Sequence, residues 1–171
     1  MTTVSQISFK RLKSDIRLLQ KEPIEYIDVI QDETDMFKWY FLIKGPKSSD
    51  YEGGYYLGLL LLNPEYPFKS PDFKMLTPSG RFDVDQKIFL HGINYCSNEW
   101  SSFFNIRTIL MTFLCSMLDD EEQGISCIKT SKKNRIYYSE NSIDFNKKNF
   151  PEIIKKFPNF LNKKYIDLNE K

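Results

Sequence analysis

The chain has one histidine and three cysteines among 171 residues, and that scarcity removes several classes of function at once. Cys96, Cys115 and Cys127 show no CxxC or paired spacing, and an odd number argues against a disulfide framework. His91 is the one further soft ligand, so no zinc set is on offer and neither a metal nor a cofactor is expected. An excess of one charge is also missing, since 24 Lys and Arg face 23 Asp and Glu for a formal net charge of +1. No whole-molecule field draws such a chain onto nucleic acid or an anionic membrane. Lys132-Lys133 and the terminal lysines lack interleaved aromatics or a reader motif, so nucleic acid is not an expected partner. The longest helical apolar run, Ile109 to Leu118, is interrupted by Thr112 and Ser116 and falls short of the ~20 residues that span a bilayer. Met1 to Gln6 has no basic segment leading into an apolar one. A cytoplasmic protein with no membrane span in this chain is the simplest expectation.

What is present is core material. The chain is 41% hydrophobic and 15% aromatic, and its length suits a single domain, 1–171. Phe9, Leu12, Ile16 and Leu19 recur at helical spacing, which predicts a first helix capped by Ser5 or Ser8 and ending before Pro23. Three extended segments follow: Tyr26 to Ile30, the alternating Phe37-Trp39-Phe41-Ile43, and the nearly all-apolar Tyr55 to Leu62. Turn-forming residues separate them at hairpin spacing, which predicts an antiparallel meander; Phe73 to Met75 supplies a fourth strand. From Leu76 to Phe104 no period holds, and so long an irregular stretch is where function concentrates. Asn105 then caps a central helix through Leu118, with Ile109, Phe113 and Leu114 expected in the core. Ser131 to Phe145 and Pro151 to Phe157 read as two further helices, and Lys155 to Lys171 as a solvated tail. The sum is an α+β domain.

Several short motifs recur in order: Gly45-Pro46, Tyr51-Glu52-Gly53-Gly54, Tyr66-Pro67-Phe68-Lys69-Ser70-Pro71, Lys87-Ile88-Phe89-Leu90, Glu99-Trp100-Ser101 and Ile106-Arg107-Thr108-Ile109-Leu110. Together they resemble the core of the ubiquitin-conjugating enzymes over about residues 9–165. Thr77-Pro78-Ser79-Gly80-Arg81-Phe82, the long gap before Trp100, and Ile128-Lys129-Thr130-Ser131 are most similar to the branch that is tail-anchored in the endoplasmic reticulum. The resemblance implies the ubiquitin-conjugating (UBC) fold, with its amino-terminal helix, four-stranded meander, central helix and carboxy-terminal helices. It also implies a place in the ubiquitin pathway, at or near the endoplasmic reticulum surface. The implied partners are ubiquitin or a ubiquitin-like protein, an active conjugating enzyme, or a ligase.

Where the family carries its thioester cysteine in an I-C-L tripeptide, this chain has Ile88-Phe89-Leu90. A phenyl ring has no lone pair for attack and no proton to lose, so covalent catalysis at Phe89 is excluded. Its ring is expected to fill the groove, packed by Leu90, Tyr95 or Trp100. The family's oxyanion-stabilising asparagine is matched by Ser79, a shorter and less organised donor. The degenerate pair Phe89 and Ser79 therefore points to a catalytically inactive binding or regulatory module. The alternative is a transferase with a displaced nucleophile, for which Cys96 is the candidate, with His91 close in sequence. Cys115 and Cys127 read as packing residues. The resemblance makes Phe68 a ligase contact, together with Ser102 and Phe103, which stand where the family has a proline and an alanine. It makes Lys10, Arg11 and Lys13 contacts for the activating enzyme; read without it, they are a solvated helix face.

Overall fold

The computed structural model describes residues 3–96 and 98–157. Helix α1 (Val4–Lys21) starts about a turn earlier than its apolar residues suggest. Thr3, not Ser5 or Ser8, is the cap: its hydroxyl accepts from Gln6 N–H and the Gln6 side chain accepts from Thr3 N–H, a reciprocal capping box. Ser8 is buried, and its hydroxyl is directed at the carbonyls of Val4 and Pro64, at 3.1 and 2.8 Å.

Strands β1 (Ile27–Gln31), β2 (Lys38–Lys44), β3 (Tyr55–Leu61) and β4 (Asp72–Met75) form the expected antiparallel meander in the order β1-β2-β3-β4. Register decides what each face buries. Trp39 pairs with Leu60, Phe41 with Gly58 and Ile43 with Tyr56, so these side chains share one face with Phe73 and Met75. Against that face lie Leu12 of α1 and Ile109, Leu110, Phe113 and Met117 of α2 (Ile106–Leu118). The Phe113 ring is the hub, with centroids 5.3 Å from Phe41, 4.8 Å from Phe73 and 5.2 Å from Phe82. Gly58 is needed opposite Phe41, because a Cβ there would sit 2.2 Å from that ring.

The other face buries Leu42, Tyr55 and Leu57 under Ile154 and Phe157, at and just after the short helix α4 (Pro151–Ile154). Helix α3 (Lys132–Asn149), capped by Ser131, is tied on by hydrogen bonds instead of an apolar stripe. Tyr55 N–H donates to Ser142 Oγ at 2.9 Å, Asn146 Nδ2 donates to Tyr55 O at 2.7 Å, and Thr77 joins Asn146 to Leu57 N–H. Helices therefore cover both faces of the sheet. Residues 158–165, where the resemblance continues, and the tail beyond them lie outside the described residues.

Two packing expectations need correction. Leu114 is only partly buried at the edge of the core, its place in the interior taken by Leu110 and Met117. Cys115 is exposed, while Cys127 does pack against the core, and burial pushes its thiol pKa up.

A polar clasp joins the layers. Asp15, 3% exposed, accepts from Arg11 Nε at 2.9 Å, Tyr66 Oη at 2.5 Å and Ile106 N–H at 3.2 Å. The last contact puts a carboxylate at the positive end of the central helix. Burial, and then the nearby Asp15 charge, drives the Tyr66 hydroxyl pKa upward. Asp15→Ala removes the acceptor of Ile106 N–H, unpairs the part-buried Arg11 and leaves Tyr66 Oη only Phe104 O at 3.3 Å, so it is expected to cost about 3 kcal/mol in urea unfolding. Phe113→Ala should cost about 3–5 kcal/mol and Leu114→Ala clearly less, in the same measurement.

Candidate functional site

The backbone around Phe89 is held from three sides. Ile88 N–H donates to Phe73 O at 2.9 Å on the β4 side. Phe89 N–H donates to Ile125 O at 3.2 Å in an isolated antiparallel bridge. Leu90 N–H donates to Asn94 Oδ1 at 2.9 Å, and Asn94 Nδ2 donates to Ile88 O and Pro71 O at 3.0 and 3.2 Å. Asn94 is 8% exposed, and the sequence reading passed it over because a buried amide and a loop amide look alike in a string of letters. The wall opposite is equally fixed. A Cβ on Gly124 would stand 1.9 Å from Phe89 O, and Ser126 Oγ donates to Lys87 O at 3.0 Å.

The Phe89 ring is half-buried, with Lys87 Nζ 4.9 Å from its centroid and the same ammonium 2.8 Å from Asp72. Its expected covers are engaged elsewhere. Leu90 is buried in the core, Tyr95 stacks on His91 at 4.1 Å, and Trp100 meets Tyr66 and Phe104 while its Nε1 donates to Pro67 O. The cover that the structure gives the ring is the Lys87 ammonium.

Ser79 is fully buried, and its Oγ accepts from Arg81 N–H at 3.2 Å. Fully buried and accepting from its own loop, this hydroxyl braces the backbone between Ser79 and Arg81. Arg81, 1% exposed, explains the loop's depth. Its Nη2 donates to the carbonyls of Ser116, Asp119 and Glu122 at 3.2, 2.8 and 2.7 Å. It caps the negative end of α2 and fixes the segment that leads to Gly124 and Ile125.

Cys96 is exposed, and its carbonyl accepts from Glu99 N–H at 3.1 Å. His91 turns to other groups: its Nδ1 lies 3.8 Å from Glu99 Oε1 and its ring against Tyr95. Among the described residues no hydrogen bond joins the Cys96 sulfur to His91, so the structure does not assemble a thiol and base there. Nor do they include a group of three or more His, Cys, Asp or Glu placed to hold a metal ion.

The contact candidates divide. Phe68 is 54% and Phe103 89% exposed, both presented on loops. Ser102 is half-buried and faces inward through its carbonyl, which accepts from Arg11 Nη1 at 2.8 Å. Arg11 Nη2 also donates to Phe104 O at 2.7 Å and Phe103 O at 3.3 Å. Arg11 is therefore half-buried where a solvated helix face was the reading without the resemblance, and it fixes the Trp100 loop from beneath. Lys10 and Lys13 are exposed as expected, with Lys13 Nζ 4.4 Å from the Phe9 ring centroid.

Comparison with known proteins places this geometry. Residues 11–149 match the family model described as ubiquitin-conjugating enzyme. The chain is 33% identical over 164 residues to ubiquitin-conjugating enzyme E2 6 of Schizosaccharomyces pombe, covering 96% of this chain and 72% of that protein. It is 36% identical over 139 residues to a ubiquitin-conjugating enzyme E2 J2-like protein of Dictyostelium discoideum, covering 81% of each. The solved structure of human ubiquitin-conjugating enzyme E2 G1 superimposes with a TM-score of 0.59 at 27% identity, over 69% of this chain and 98% of that one. With the meander, the capped central helix and the groove loop all in place, the chain belongs to the ubiquitin-conjugating enzyme family.

Proposed function

We propose that this protein is a catalytically inactive member of the family, a binding or regulatory module of the ubiquitin pathway that works without forming a thioester. One observation carries the reading: the position held by the three-sided backbone frame bears the ring of Phe89. The frame keeps a side chain at the groove rim while that side chain has no nucleophilic atom. The burial of Ser79 supports the same view, since its hydroxyl serves Arg81 N–H. Ubiquitin or a ubiquitin-like protein, an active conjugating enzyme, or a ligase are the proposed partners, with the exposed Phe68 and Phe103 as apolar anchors. A cytoplasmic setting at the endoplasmic reticulum surface is proposed from the resemblance of the Thr77 to Phe82 segment to the tail-anchored branch; among the described residues no helix is long and apolar enough to cross a membrane. The second reading, transfer through Cys96, draws on the exposure of that thiol.

A charging reaction with activating enzyme, ATP and ubiquitin, resolved with and without reductant, separates the two. No reductant-sensitive adduct is expected on the wild-type chain. An adduct abolished by Cys96→Ser would replace the first reading with the second.

Restoring the thiol tests how much else is lost. Phe89→Cys is expected to charge slowly and to discharge poorly onto free lysine. The absence of one preorganised oxyanion donor typically slows such a step ~10²–10³-fold. Single-turnover discharge beside an active family member checks this; equal rates would mean that the rest of the site is intact.

A further inference from the structure

The exposed side of α1 carries a charge asymmetry that the balanced composition hides. Lys10, Lys13, Arg17 and Lys21 are all exposed and follow at intervals of three, four and four residues. At 100° and 1.5 Å per residue they fall within an arc of about 80° and a length of about 16 Å, one straight stripe. The acidic residue within this helix, Asp15, is buried on the opposite side. Several cations elsewhere are paired: Lys69, Lys74, Lys87, Lys155 and Lys156 each sit against a carboxylate. Among the described residues none of the four stripe cations has an ion-pair partner. At the rim of the stripe Phe9 is 47% exposed, its ring beneath the Lys13 ammonium.

We propose that this face docks on an anionic membrane surface. A plane of negative headgroups is the complement of a straight, uncompensated row of cations. The side-mounted aromatic suits the boundary between headgroups and acyl chains, where an amphipathic ring is most stable. The four cations are long and flexible, so they reach headgroups without demanding a fixed partner geometry. Arg11 is excluded from this role because it is spent on the carbonyls of the Trp100 loop. Docking through the stripe leaves the Arg11–Asp15 clasp and its hold on Phe104 O in place, because both lie on the other side of the helix. The inference does not rest on the catalytic state of the site.

The test is flotation of the full chain with phosphatidylcholine vesicles, with and without phosphatidylserine, at low and raised salt. Binding is expected only with phosphatidylserine and should weaken as salt rises. Each stripe cation neutralised should weaken binding about five-fold, equivalent to about 1 kcal/mol, so Lys13→Gln with Arg17→Gln should lose about 25-fold. Lys133→Gln with Lys148→Gln, two exposed α3 lysines, should change little. Phe9→Ser should weaken binding without altering its salt slope. Because these side chains are exposed, unchanged thermal unfolding of each variant is expected. Equal binding to neutral vesicles, equal losses from the α3 pair, or no binding at all overturns the proposal. Absent vesicle binding together with a Lys13- and Arg17-dependent complex with the activating enzyme would assign the stripe to an acidic protein surface instead.

Discussion

A single buried carboxylate organises one side of this molecule. Asp15 neutralises Arg11, receives the Tyr66 hydroxyl and sits at the first N–H of the central helix. Each contact fixes a different element: α1, the turn at Tyr66, and α2. Arg11 passes the constraint on, since the guanidinium that pairs with Asp15 also binds the carbonyls of Ser102, Phe103 and Phe104. The Trp100 loop is thereby held by three carbonyl contacts from a neighbouring helix. The large exposed ring of Phe103 stands on a fixed base.

The groove is built by the same logic with a different charge. Arg81, buried at the carboxyl end of α2, gathers three carbonyls and sets the path to Gly124 and Ile125. Asn94 holds Ile88, Leu90 and Pro71 from the other side. These contacts use backbone groups, so they are indifferent to the side chain at position 89. A phenylalanine at this position therefore sits in the loop without dismantling it. The frame depends on amides and carbonyls, the chemistry on one sulfur atom.

Much of the fold was legible in the sequence. The alternation of Trp39, Phe41 and Ile43, the apolar run from Tyr55, and Asn105 before a strict helical period each specify an element by local physics. Ser131 and Pro151 likewise marked helix starts. What was not legible depends on long-range partners. Arg11 read as a surface charge because its acceptors are carbonyls 91 to 93 residues away, which no periodicity reports. Ser79 read as a degenerate donor position, but its full burial against its own loop depends on packing that the motif does not report. Leu114 fits the helical period but falls at the edge of the α2 apolar stripe, where the sheet no longer covers it. In the candidate site, the position of Phe89 was visible from the tripeptide. Its actual cover, the Lys87 ammonium, was not.

The central claim is that this family scaffold carries no thioester, and it can be read thiol by thiol. The wild-type chain would be incubated with activating enzyme, ATP and ubiquitin, alkylated without reductant, and mapped by peptide mass spectrometry. The account predicts that Cys96, Cys115 and Cys127 are alkylated to the same extent as in a reaction lacking ATP, once unfolding exposes all three. One cysteine protected only when ATP is present, and released by reductant, would contradict it.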